Sequence, residues 1–218
     1  GFRHRKGEPC ATLRLALFFT LTGMNVADDA VPSLLHSRSS PFSGRRGRAR
    51  MRYIRLIRNI SNWWVYLLVK YGLSRQDPIL FRTRNAVLVE VPWRLLHTFK
   101  EIFMEECYMH GVGAPLPDRP VIIDIGANAG YFTLFAAARF SSATILSFEP
   151  IPKNYRLLEQ NVRANPGCRI LPLQLAVAAE SGEAIMSFDE EDSVSTAAHI
   201  VTQDASLHQT GTIKVPCT

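Results

Sequence analysis

The chain is poor in residues that build covalent or metal scaffolds. Its 218 residues include only four cysteines, Cys10, Cys107, Cys168 and Cys217. None forms a C-x-x-C pair, so neither a disulfide framework nor a zinc site is indicated, and a reducing cytosol fits best. The six histidines contain no H-x-H or H-E-x-x-H pattern, which leaves a metal centre without support. His97 in a helical stretch, and His199 and His208 in a polar loop, read as surface or packing residues. The acidic run 189–192 reads as a solvated loop rather than a cation site. The apolar run 13–21 is interrupted by Arg14 and is too short to span a bilayer.

Charge of one sign is also missing from most of the chain. Residues 1–60 hold twelve Lys/Arg against three Asp/Glu, a net +9, whereas residues 61–218 hold thirteen against sixteen, a net −3. The pI near 9.4 therefore belongs to the leader. The remainder has no basic stripe with interleaved aromatics, so nucleic acid is discounted as a partner. At 47% hydrophobic content, the chain has enough apolar material for a real core.

What is present concentrates at Val121–Tyr131 and Phe148–Pro150. Val121–Ile125 shows no polar alternation and reads as a strand covered on both faces. Gly126 and Gly130 bracket a turn into a helix over 131–140, whose N-terminal amides face the same crevice. Residues 143–148 read as the next parallel strand. Glu149 then stands at its tip, where a carboxylate accepts ribose hydroxyls, at a spacing from Gly126 close to the roughly 20 residues of dinucleotide folds. A dinucleotide site, however, wants G-x-G-x-x-G, and here the second glycine position is Asn128. A side chain there obstructs a pyrophosphate. S-adenosylmethionine needs no such approach: it has a ribose for Glu149, an amino-acid end for the turn, and a sulfonium that tolerates Asp124. It is favoured over NAD, although glycine turns and acids at strand tips also occur in α/β proteins that bind nothing.

These blocks resemble a known family. Asp124–Leu134, Phe148–Asn154, Leu157–Leu158 with Asn161, Val162 and Asn165, and Ala176–Val177 with Gly182 are similar to the FkbM-type S-adenosylmethionine-dependent methyltransferases, over about Ile102 to Val215. The resemblance implies a Rossmann-like class I fold, α/β with a doubly wound, mostly parallel sheet of which the N-terminal half is present. It implies that Asp124, Gly126, Asn128 and Gly130 surround the methionine end, that Glu149 takes the ribose, that Ala176 borders the adenine, and that Ala127, Tyr131 and Pro150 also belong to the cofactor site. It further implies O-methylation of a sugar or secondary-metabolite hydroxyl, with a small-molecule or carbohydrate acceptor. No residue identifies the base, so the catalytic residues stay unknown. The alternatives are a truncated or degenerate cofactor-binding domain without activity and, further off, an NAD-dependent oxidoreductase.

The organisation expected is a basic leader over 1–50, disordered or preceding the native start; an extension over 51–110; and a partial S-adenosylmethionine-binding domain over 111–218. The chain is expected to stop before the remaining strands, leaving the fragment inactive alone. Within the extension, Ile54, Ile57, Ile60, Trp64, Leu67 or Leu68, and Tyr71 form one predicted helical stripe flanked by arginines. Packing against the domain or a partner subunit is the plainer reading of that stripe; peripheral contact of residues 52–71 with the inner membrane face is the other. The location expected is cytoplasmic. Residues 79–84 and 87–91 predict a hairpin about Asn85-Ala86, with Asn85 suited to left-handed backbone, and 93–108 predicts a helix. Residues 152–164 predict another helix, and 169–177 a third strand whose Pro172 requires a sheet edge. Glu183–Phe188 and Thr212–Val215 predict extra strands.

Overall fold

The structure, a computed structural model, describes residues 16–19, 45–109, 117–178, 181–188, 199–200 and 211–218. The acidic run 189–192 and His208 lie outside them, as does most of the leader.

The apolar run at Val121–Ile125 forms the central strand, β4. Thr144–Phe148 (β5) and Ile170–Leu173 (β6) follow it in parallel, with Ile123 beside Leu146 and Leu146 beside Leu171. Helix α4 (Tyr131–Arg139) connects β4 to β5, and α5 (Pro152–Arg163), opened by Pro152, connects β5 to β6. This is the α/β arrangement expected. On the other side of β4, Ala16–Phe19 (β1) pairs antiparallel, with Ala16 opposite Asp124. Pro172 lies in β6, which ends the four-strand order β1-β4-β5-β6. An edge is where a residue without an N–H is tolerated.

The third strand is shorter than predicted. Beyond Leu173 the chain leaves β5, and Ala176 bonds instead to the last strand, its N–H reaching the Pro216 carbonyl at 2.9 Å. That strand, Gly211–Cys217 (β9), pairs antiparallel with Gly182–Phe188 (β7), the two extra strands the sequence predicted within these bounds. The short His199–Ile200 (β8) covers the other edge of β7.

The extension packs on the domain through aromatic rings. Phe81 stacks on Phe99 at 4.1 Å, Phe99 on Phe103 at 4.9 Å, and Phe103 meets Phe135 of α4 edge-on at 5.5 Å. Offset and edge-on pairs at these separations add to ordinary apolar burial. Phe81 belongs to a hairpin of Ile79–Arg82 (β2) and Leu88–Val91 (β3). Its left-handed residue is Ala86 at φ 63°, not Asn85. The Asn85 amide is engaged elsewhere, donating to the Ala138 carbonyl of α4.

β3 has β2 on one side only; Asn161 of α5 and Asn165, two residues past its end, supply the other. Asn165 Nδ2 donates to Leu88 O at 2.8 Å while its Oδ1 accepts Leu88 N–H at 2.7 Å. One helical turn earlier, Asn161 Oδ1 accepts Glu90 N–H at 2.9 Å, and its Nδ2 donates to the Ala129 carbonyl at 2.9 Å.

Two helical expectations are corrected. The single stripe over 52–71 is split into α1 (Arg45–Asn59) and α2 (Trp64–Lys70). Asn62 interrupts it, donating to Leu80 O at 3.0 Å and accepting Arg82 N–H at 2.7 Å, while Ile60 bridges to Thr83. Docking onto β2 therefore overrides helical continuity. The buried side is Leu56, Ile60, Tyr66 and Val69, whereas Ile54, Ile57, Trp64, Leu68 and Tyr71 of the predicted stripe are exposed. The 93–108 segment is likewise broken. A 3₁₀ turn over Trp93–Leu95 leads into α3 (Leu96–Lys100), then a π turn over Glu101–Glu105, and Glu106 ends it in left-handed backbone at φ 52°. The wider π turn places Ile102, Phe103 and Met104 all in the core. Glu106 is held by Arg58 and Asn59, with Arg55 close by. Burial works to raise its pKa, but those hydrogen bonds and the arginine charges outweigh it and hold the carboxyl below its ordinary value. Among the described residues no helix is long and apolar enough to cross a membrane.

Candidate functional site

Parallel strands present their carboxyl ends to one edge of the sheet, where ligands of open α/β folds bind. At that edge the β4–α4 turn meets the end of β5. Gly126 at φ 74°, Asn128 at φ 54° and Gly130 at φ 82° are all left-handed. Gly130 is required twice over: a Cβ there would sit 2.6 Å from Leu158 Cδ1 of α5. Ala127, Asn128, Tyr131 and Pro150 are buried around the turn.

Glu149 is 4% exposed and tied to this turn. Its Oε2 accepts the Asn128 N–H at 2.7 Å, its Oε1 accepts the Ile151 N–H at 2.9 Å, and Asn154 Nδ2 lies 3.4 Å from Oε1. The Glu149 N–H donates in turn to Leu173 O of β6 at 3.0 Å. Three strand ends thus meet at Glu149, the first two through its carboxylate and β6 through its backbone N–H, with Ala176 three residues past Leu173.

The turn's own amides are turned inward. Gly126 and Ala127 N–H both donate to Phe148 O at 2.9 Å, Gly130 N–H to Ala127 O at 2.8 Å, and Ala129 N–H to Asn128 Oδ1 at 2.7 Å. With Asn128 N–H on Glu149, all five amides from 126 to 130 have protein acceptors. The expectation that these amides face a ligand is revised accordingly. Such a turn does not offer the N–H nest that a pyrophosphate needs. Its carbonyls are engaged too: Ala127 O accepts the Gly130 N–H, Gly130 O the Leu134 N–H and Ala129 O the Asn161 amide, each with a second lone pair to spare.

Asp124 and Tyr131 have partners in α4 and in the hairpin. Asp124, 1% exposed, accepts the Thr133 hydroxyl at 2.6 Å, and that hydroxyl lies 2.8 Å from Ser147 Oγ. The Tyr131 hydroxyl donates to Glu90 O of the hairpin at 3.3 Å. Sequence reasoning gave no role to Thr133, Ser147, Asn154 or Asn161. The available signal was polar residues on otherwise buried helix faces, above all Asn161 and Asn165 at one-turn spacing. A hollow of about 370 Å³ lined by Val87, Ala143, Asn165 and Arg169 lies at the amino ends of β5 and β6, the side opposite the turn.

Curated methyltransferases are similar to part of this chain. Methyltransferase sdnD of Sordaria araneosa is 38% identical over 85 residues, 38% of this chain and 32% of its own length. Methyltransferase 1 of Beauveria bassiana is 33% identical over 89 residues, 41% and 34% respectively. The 31-O-demethyl-FK506 methyltransferase FkbM of Streptomyces tacrolimicus is 39% identical over 92 residues, again 41% and 34%. The matched segment is thus similar to methyltransferases, FkbM among them. The chain spans about a third of the length of these relatives. No family model and no solved structure matches it.

Proposed function

We propose that the chain is the S-adenosylmethionine-binding portion of a methyltransferase acting on a sugar or secondary-metabolite hydroxyl. One observation carries the reading: the Glu149 carboxylate and the β4–α4 turn are joined at a single sheet edge by the 2.7 Å bond to Asn128. The methyltransferase relatives support it.

The donor set fits the cofactor's chemistry. Glu149 is an acceptor oriented by N–H groups, as ribose hydroxyls require. The turn over Gly126, Ala127, Asn128 and Gly130 has its amides occupied, so what it offers the ammonium of the amino-acid end is the second lone pair of its carbonyls. Asp124 and Tyr131 flank the turn, Pro150 follows the ribose carboxylate, and Ala176 borders the adenine. When bound, the cofactor supplies a methyl group made electrophilic by the sulfonium. The chain's own contribution is binding and orientation, which in the best intramolecular models supply about 7–11 kcal/mol. The same occupied amides disfavour NAD, and a cytoplasmic location keeps the four scattered thiols reduced.

Calorimetric titration of the chain with S-adenosylhomocysteine and, separately, NADH tests this. Only the first is expected to bind, and Glu149→Gln is expected to weaken it roughly tenfold or more, as for loss of a charged hydrogen-bond partner. Equal or tighter NADH binding, or a Glu149→Gln protein of unchanged fold and affinity, would overturn the reading.

A further inference from the structure

We infer that the outer face of α1 and α2 seats the protein on an anionic lipid surface. Met51, Ile54 and Ile57 recur every third residue along one side of α1, exposed by 42–49%. Trp64 and Leu68 of α2, and Tyr71 just past its end, follow at four- and three-residue spacing and are exposed by 40–68%. The core does not need them, since Leu56, Ile60, Tyr66 and Val69 already anchor the opposite sides. The two helices are tied beneath this face by Tyr53, whose ring lies 6.4 Å from that of Tyr66 and takes Lys70 Nζ at 5.1 Å. The apolar surface is therefore held in place rather than trailing.

Charge identifies the occupant. Residues 45–75 contain nine Lys/Arg and no Asp or Glu. Glu105 and Glu106 pair with Arg52, Arg55 and Arg58 on the inner side. Beside the face, a hollow of about 290 Å³ is lined by Arg84 and Arg139 and by Arg58, whose charge is shared with Glu106. Arg84 fixes this hollow to the apolar stripe, its Nε and Nη2 both donating to Ile57 O at 3.1 and 2.8 Å. Arginines around a hollow match a phosphate headgroup, while Trp64 and Tyr71 are the residue types favoured at the headgroup level. A nucleic acid would satisfy the arginines and leave Met51, Ile54 and Ile57 in water. A lipid surface covers both, in the manner of helices lying in the interface plane. The inference does not depend on what the glycine turn binds.

Co-sedimentation of the full chain with vesicles tests it, using phosphatidylcholine alone and phosphatidylcholine mixed with phosphatidylserine. Binding is expected only to the mixed vesicles and is expected to fall with added salt. The triple variant Ile54→Gln, Ile57→Gln, Trp64→Gln changes exposed positions and should lose at least about tenfold in affinity. Arg84→Gln with Arg139→Gln leaves the apolar residues intact and should cost about fivefold per charge. Equal binding to neutral vesicles, no pelleting by the unaltered chain, or unchanged affinity of both variants would sink the inference. So would tighter binding to RNA, or to an acidic protein, that the triple variant leaves intact.

Discussion

Asn165 grips Leu88 with both ends of its amide, donating to the carbonyl at 2.8 Å and accepting the N–H at 2.7 Å. Asn161 accepts the N–H of Glu90 in the same way. The spacing explains why a helix can do this to a strand. Four helical residues rise about 6 Å, and two strand residues span about 6.6 Å. Asparagines one turn apart therefore fall in register with alternate strand residues, and α5 with Asn165 just past its end acts as the missing neighbour of β3.

Asn165→Ala should lower unfolding stability by roughly 2–3 kcal/mol, because both Leu88 backbone groups lose their partner. Asn165→Asp, which sets a buried carboxylate oxygen against the Leu88 and Asn161 carbonyls, should cost at least as much. Urea unfolding measures both, and a loss below about 0.5 kcal/mol for the alanine variant would contradict the strapping role.

Gly130→Ala should be worse than Gly126→Ala. Both glycines are left-handed, a conformation that costs alanine about 1–2 kcal/mol. Only at Gly130 does the added Cβ meet another atom, Leu158 Cδ1 at 2.6 Å. A double-mutant cycle with Leu158→Ala should show less than additive loss, since removing the leucine's branch relieves the clash. Strict additivity would place the cost of Gly130→Ala in the backbone alone.

Glu106→Gln should destabilise the chain by about 1 kcal/mol near neutral pH. The folded carboxyl titrates below its ordinary 4.5. Its contribution is therefore present above that value and lost as pH falls through the lower folded one. The stability gap between the variant and the unaltered chain should close on acidification below about pH 4. A gap constant from neutral to strongly acidic pH would show that the arginine contacts contribute nothing.

Thr133→Val should cost about 1–3 kcal/mol, because buried Asp124 loses its hydroxyl donor and Ser147 its partner. Thr133→Ser, which keeps the hydroxyl, should recover most of it. Thermal unfolding of the two variants makes the comparison, and equal melting temperatures would remove the network from the stability argument.

The parallel sheet was legible because fully buried strands and their punctuation are local signals. Val121–Ile125 was predicted at its observed bounds, and the edge position of Pro172 followed from its missing N–H. The turn's inward amides were not legible. Glycines report that the backbone bends, but which acceptor each N–H finds depends on Phe148 and Glu149, some twenty residues away. The same holds for Asp124, whose partner Thr133 is set by how α4 lies on the sheet.

The α1–α2 face shows the division most plainly. Sequence alone determined that residues 52–71 are amphipathic and basic, since side-chain type and helical period are local properties. It did not determine which side is buried. Asn62 pairing with β2 breaks the helix and turns Leu56, Ile60, Tyr66 and Val69 inward, leaving Ile54, Ile57 and Trp64 in solvent. Burial belongs to the pairing of distant segments, so only the tertiary structure could decide it.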